Sequence, residues 1–368
     1  MYVEKEIWLV ANISAFTAKG LNFYFQSNRA KIDGNVVSRL VKFIEGAKHS
    51  LDVAIYDMKN PDVLKSLKRM SSKVQLHILY DAGKGPKVGP GSTTVDPKSS
   101  KSTTEQAIIA AGLKAFAHPV QEKGSHLMHD KFIVRDGASV WSGSGNFTNG
   151  GLLLQDNNFF TIDSPAMAAA YSKTFGDLGG PGHALSHAKG VQAAPTKVKV
   201  GGVNITAFFS TQFVEGEGIE AEVQKRLKGA KKVRVIAMLI SDKGILSSLL
   251  ALKKKDIRGV VDPHEMKQVM KTKPNDPNFW FANGDPRFVA APSHAFSKND
   301  QNDFMHNKVM ILDDKVVITG SYNFSENAEL NDENMLVIES PAIAGAYDKY
   351  FNALFAQYQK HGAKLPPA

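Results

Sequence analysis

The sequence predicts a mixed α/β chain built twice on one pattern. Strand-like and helix-like segments alternate, a compound motif recurs half a chain apart, and the composition is that of an ordinary globular protein. The chain has 368 residues, 43% hydrophobic and 22% charged, which suits two domains or one large duplicated one. Such a balance excludes a disordered tail, a collagen-like fibre and a coiled-coil rod. With no cysteine at all, disulfides, thiolate zinc sites and cysteine nucleophiles are excluded together.

Taken in order, the apolar stretch 7–18 follows Glu4, Lys5 and Glu6 rather than a basic leader, and it reads as a strand. No run approaches the roughly 20 apolar residues of a membrane-spanning helix, so a soluble, by default cytoplasmic, protein is expected. Residues 36–47 place Val36, Val37, Leu40, Val41 and Ile44 at helical spacing, and 219–227 is the partner helix. The strand at 51–56 pairs with 233–238, and 75–80 with 257–261. Each half is expected to run strand, helix, strand, helix, strand, then a motif strand, a second strand and a closing helix. The Gly/Pro/Ala-rich stretch 179–202 reads as a linker between an N-terminal half, 1–178, and a C-terminal half, 203–368. Two segments break the pattern: 84–102, rich in Gly, Pro, Ser, Thr and Lys and expected to be a mobile loop, and 274–292, which carries Phe279, Trp280 and Phe281 among turn residues. Both precede a motif strand, where loops reach over sites.

The repeat is explicit in the motifs. Met128-His129-Asp130-Lys131 through Asp136 matches Met305-His306-Asn307-Lys308 through Asp313, with the histidines 177 residues apart. Gly143-Ser144-Gly145-Asn146 then matches Gly320-Ser321-Tyr322-Asn323, and 162–166 matches 338–342. On a strand, His-x-Lys puts imidazole and ammonium on one face. A neutral imidazole can attack phosphorus while the ammonium binds its non-bridging oxygens. Ser144, Asn146, Ser321 and Asn323 are the hydroxyl and amide candidates for the same oxygens. One such set makes half a site; two make a centre with paired histidines, lysines and asparagines.

A doubled His-x-Lys-x4-Asp followed by Gly-Ser-x-Asn resembles the phospholipase D superfamily over nearly all of the chain, about 20–178 and 201–360. The resemblance implies a duplicated phospholipase D-like α/β fold, with two sheet-and-helix halves related by a pseudo-twofold and the active site between them. It also implies a metal-independent phosphodiesterase without a cofactor, working through a phosphohistidine. His129, Lys131, His306 and Lys308 would be catalytic, and Asp136 and Asp313, at strand ends, structural. Glu333 falls opposite Asn157 in the repeat. In two-motif members an acidic residue of the other half orients each histidine, so His129 would lean on Glu333 and His306 on Asn157. Asn157 departs from that acidic pattern. A carboxylate at Nδ1 leaves Nε2 free to attack, which favours His129 as nucleophile and His306 as general acid, then base.

For the substrate, nucleic acid is the first expectation. The Gly-Ser-x-Asn tails are closest in style to the bacterial nucleases of the superfamily. Of the net charge of +9, a basic stripe at 225–258, with eleven Lys/Arg against Asp242 and Asp256, would attract a phosphate chain. Phospholipid is the alternative, with Phe279, Trp280 and Phe281 as an interfacial wedge, although those rings equally suit stacked bases or the core. A non-catalytic nucleic-acid-binding protein is the third reading.

Overall fold

The computed structural model describes residues 13–83, 103–122, 126–183, 194–210, 218–282, 284–293 and 302–365. The first half runs β1 (Ala15–Ala18), β2 (Leu21–Gln26), α1 (Val36–Glu45), β3 (Ser50–Ile55), α2 (Pro61–Met70), β4 (Gln75–Asp81), α3 (Thr103–Ala110), β5 (Ala117–Val120), β6 (Lys131–Arg135), β7 (Ser139–Gly143), β8 (Asn157–Asp163) and α4 (Pro165–Asp177). The second runs β9 (Thr196–Val200), β10 (Val203–Phe209), α5 (Ile219–Lys228), β11 (Lys232–Ala237), α6 (Lys243–Ala251), β12 (Asp256–Val261), α7 (Pro263–Thr272), β13 (Phe288–Ala290), β14 (Lys308–Leu312), β15 (Val316–Gly320), β16 (Asn334–Glu339) and α8 (Pro341–His361).

The strands form two eight-stranded sheets, β1-β2-β8-β7-β6-β3-β4-β5 and β9-β10-β16-β15-β14-β11-β12-β13, identical in order under the repeat. In each, β3–β4–β5 or β11–β12–β13 is parallel and the remainder antiparallel. The duplication and the mixed α/β class are therefore observed as expected. Helix starts follow ordinary capping chemistry: Asn60, Ser164, Asp262 and Ser340 each cap the N–H groups of a helix whose first residue is proline.

Four local readings differ. The expected order lacked one opening strand, α3 with β5 and α7 with β13, and also β8 and β16, which carry the residues opposite the motif histidines and whose mixed Asn/apolar start breaks a clean alternation. The stretch 179–202 is not all linker: Thr196–Val200 pairs antiparallel with β10 as an edge strand. Of the strand expected at 7–18, Ala15–Ala18 is a strand, and 1–12 lie outside the described residues, as do 84–102. Phe279, Trp280 and Phe281 are core rather than a wedge or a stacking platform. They are buried together with Phe288, and Arg287 lies over the Trp280 ring at 4.6 Å.

The halves are joined by one shared core. α4 and α8 lie between the sheets: Tyr171 meets Phe132 of its own half and Phe209 of the other, and Tyr347 meets Phe23 and Phe25 across the interface. Two residues act as dowels through this core. The Asn158 amide accepts from Thr319 (2.8 Å) and Tyr347 (2.9 Å) and donates to Asn307 (2.9 Å). Its repeat partner Asn334 accepts from Ser142 (3.3 Å) and Tyr171 (3.2 Å) and donates to Asp130 (2.5 Å).

A buried polar group deprived of its partner costs about 1–3 kcal/mol. Asn158→Ala strands three such groups at once. It should lower stability by roughly 2–4 kcal/mol in denaturant titration, whereas Asn352→Ala on the exposed face of α8 should change it little.

Candidate active site

Each motif histidine is held by the opposite half. Backbone bridges run from His129 N–H to Asp332 C=O and from His306 N–H to Asp156 C=O, both 3.0 Å. Glu333 Oε1 lies 2.7 Å from His129 Nδ1, and Asn157 Oδ1 3.0 Å from His306 Nδ1. Lys131 and Lys308 turn back onto the carbonyls of their own histidines, at 2.5 and 2.6 Å. The lysines are fully buried and the imidazoles retain 6% and 5% exposure, enough to face a ligand. An edge-on Tyr56 ring packs on His129, and Phe304 packs edge-on to His306.

The Gly-Ser-x-Asn turns explain the close fit. Gly143 and Gly320 both adopt φ +154°, and a Cβ there would fall 2.3 and 2.2 Å from the carbonyls of Asn158 and Asn334. Without side chains the turns press onto β8 and β16, and Ser144 and Ser321 donate backbone N–H bonds to those same carbonyls. Both serines were expected to touch substrate; they are fully buried instead. Ser144 donates to Asn157 at 2.7 Å, and Ser321 holds the backbone N–H of Asn334 beside Glu333. They position the orienting residues. Asn146 and Asn323 are different: each is half-buried with its amide oxygen enclosed and unpartnered, and since that oxygen only accepts, it is their NH2 groups that could donate to an anion.

Asp136 and Asp313 sit at the other end of β6 and β14. Asp136 accepts from the N–H groups of Lys48, His49 and Ser50, and Asp313 from those of Lys231 and Lys232. These clamps tie the motif strand to the start of its neighbour.

The electrostatics favour a neutral nucleophile. Burial, then Lys131 and Lys308, hold His129 well below the usual imidazole value; burial, Lys308, Lys131 and His129 do the same to His306. Both histidines feel both lysines, so the four groups form one cluster. Burial also pushes Glu333 up and Lys131 down, each against the pull of the opposite charge beside it. Cations crowded out of water disfavour one another's charge. An anion bound among them would offset that repulsion for both lysines and both histidines.

Asn157 is oriented by four contacts: it accepts from Ser144 and His306 and donates to Gly151 (2.9 Å) and Gln155 (3.2 Å). That network places the amide oxygen, and so a donating Nδ1–H, at His306. The dowels Asn158 and Asn334 escaped the sequence reading, which aligned Asn157 with Glu333 but stopped one residue short of the identical asparagines beside them. The acidic Asp81, buried and pushed up to about 6 by desolvation, accepts from Met128 N–H at 2.8 Å and buttresses the first motif.

A family model described as "Cardiolipin synthase, PLD-like domain" matches residues 40–178 and again 223–355, one copy per half. The chain belongs to the phospholipase D superfamily. Members of this superfamily act on phosphodiester bonds. Among curated relatives, a mitochondrial cardiolipin hydrolase of Xenopus laevis is 38% identical over 63 residues, 17% of this chain and 30% of that protein. A phospholipase D of Rickettsia bellii is 54% identical over 43 residues, 11% and 21% of the two chains. The chain thus spans less than a third of these relatives' length. Among solved structures, a phosphatidylserine synthase of Haemophilus influenzae superposes with TM-score 0.64 at 13% identity, covering 98% of this chain and 93% of that one. At that identity the likeness establishes the fold. No helix among the described residues is long and apolar enough to cross a membrane.

The Asp136 clamp has a pH signature. Burial pushes its carboxyl up, but the three backbone donors outweigh that and leave it below the usual value. A depressed folded-state pKa adds stability above the unfolded value of about 4 and loses it as pH falls through the folded one. Asp136→Asn should therefore be less stable than the parent at pH 7, with the gap closing below about pH 4 in acid-unfolding curves.

Proposed function

We propose that this chain is a metal-independent phosphodiesterase that cleaves a phospholipid through a phosphohistidine at His129. The observation that carries the chemistry is the unequal pair of histidine partners, Glu333 on His129 and Asn157 on His306. In the first step His129 Nε2 attacks phosphorus and the bond to the leaving oxygen breaks. Glu333 accepts the Nδ1 proton's hydrogen bond and stabilises the charge developing on the ring. Lys131, Lys308, Asn146 and Asn323 bind the non-bridging oxygens. His306 gives its proton to the leaving alcohol. An amide supports an imidazolium less than a carboxylate does, so His306 releases that proton readily. Water then enters where the alcohol left, His306 takes its proton, and the P–N bond breaks to restore His129.

Phospholipid replaces nucleic acid as the favoured substrate. The names of the family model and the curated relatives support it, and one argument for nucleic acid has lost its footing. The basic stripe flanks the starts of β11 and β12, where Lys232 lies beside Asp313, about 17 Å along the β14 direction from Lys308. Six of its eleven cations, Lys225, Arg226, Lys232, Arg234, Lys243 and Arg258, are paired with carboxylates. The aromatic triplet is buried, so it serves neither as a lipid wedge nor as a base-stacking platform and does not separate the two substrates.

Phosphatidylglycerol, cardiolipin, single-stranded DNA and RNA should be offered in parallel with excess chelator. Turnover of lipid alone is expected. Cleavage confined to DNA or RNA would restore the nuclease reading, binding without turnover the non-catalytic one, and loss of activity with chelator would remove metal independence.

The roles separate with a p-nitrophenyl phosphodiester, whose leaving group needs little protonation. His306→Ala should give a burst of p-nitrophenol and a trapped phosphohistidine, and His129→Ala neither. Glu333→Gln should cost more than Asn157→Ala, about 10²-fold or above, within the range of acid–base assistance. The opposite pattern would exchange the two roles.

A further inference from the structure

The repeat provides an internal control for charge. On the outer face of the second half, Arg226 of α5 is neutralised by Glu222 (2.7 Å) and by Glu339 (2.9 Å) at the end of β16. At the corresponding place in the first half the chemistry is inverted. Arg39 of α1 stands where Glu222 does, Arg135 where Leu312 does, and Trp141 where Ile318 does. Here a cleft of about 250 Å³ opens between α1 and the ends of β6, β7 and β8.

Three cations line this cleft, Arg39, Lys42 and Arg135, against one carboxylate, Asp163, which already accepts from Ser139 at 2.7 Å. Among the described residues neither arginine nor Lys42 is paired with a carboxylate. Instead the guanidinium of Arg39 lies over the Tyr24 ring at 4.6 Å, and that of Arg135 over Phe43 at 4.3 Å. Arg39 donates Nε–H to Gly34 C=O (2.9 Å), and Arg135 donates to Phe43 C=O (3.2 Å) and Ser139 Oγ (3.3 Å), so among the described residues the donors left for an anion are the two Nη groups of Arg39 and the Lys42 ammonium. Trp141, on the floor of the cleft, has its indole N–H buried and unpartnered. A chain that closed this surface with an ion pair in one copy has left it positive in the other.

We infer that this cleft is a second anion site, taking a phosphate group either free or as the head of an anionic lipid. It is separate from the catalytic centre: Arg135 lies four residues along β6 from Lys131, and Asp163 six along β8 from Asn157, about 13 and 20 Å of strand. The inference does not rest on the proposed reaction.

The test is ¹⁹F NMR of the full chain labelled with 5-fluorotryptophan, with the Trp141 signal assigned by Trp141→Phe. Titrations use inorganic phosphate and, separately, soluble dihexanoyl phosphatidylglycerol, and are repeated in His129→Ala to remove turnover. A saturable shift of the Trp141 signal is expected, unchanged by His129→Ala and by Arg226→Gln. Arg39→Gln with Lys42→Gln should weaken it at least tenfold. Lys42→Gln alone, at an exposed position, should weaken it measurably without any risk to folding. A response to phosphate identifies the free anion, and a response to the lipid only identifies the head group. No shift with either, or a shift that survives the double substitution or disappears in His129→Ala, overturns the site.

Discussion

Everything in this molecule depends on a crosswise exchange at its centre. A histidine from each half donates its backbone N–H to the other half's strand entry and shares its ring nitrogen with the residue that follows there. Neither half can orient its own imidazole. The shared core of α4 and α8, the two asparagine dowels and the glycine turns all serve that exchange, because an error of about 1 Å at either ring is costly to catalysis. The Asp136 and Asp313 clamps set the height of the motif strands from the opposite end of the sheets.

The exchange also makes the charge balance of the site workable. Two fully buried lysines would be hard to sustain without nearby carboxylates and an anionic ligand. Glu333 and Asp130 supply part of that balance to Lys131. An anion bound between the halves would supply the rest. The asymmetry between Glu333 and Asn157 sets two otherwise equivalent histidines in different surroundings.

Much of this was legible in the residues. The repeat exposed the duplication because its motifs combine rare chemistry at fixed spacing. Glu333 and Asn157 followed from aligning the copies. What escaped was whatever depends on the third dimension. Ser144 and Ser321 look like phosphate ligands in sequence, yet the φ of the preceding glycines turns them inward. The basic stripe looks unbalanced because some of its partners lie outside it, Glu222 just before it and Asp314, Asp348 and Glu339 far along the chain. Phe279, Trp280 and Phe281 sit among turn residues, but a short helical turn folds them into the core.

The position of α8 has a consequence for how such a chain is born. It follows β16 in the second half, and its Tyr347 and Tyr350 complete the hydrogen bonds of Asn158 and Asn307 at the seam. Contacts spanning nearly 190 residues form late, after the intervening chain has been ordered. During synthesis the first half emerges carrying His129 and Lys131 but neither Glu333 nor the helix that locks the seam. A chain that has emerged only as far as its first half therefore has both motif side chains in place without the residues that orient them, and the paired centre is complete only once α8 docks.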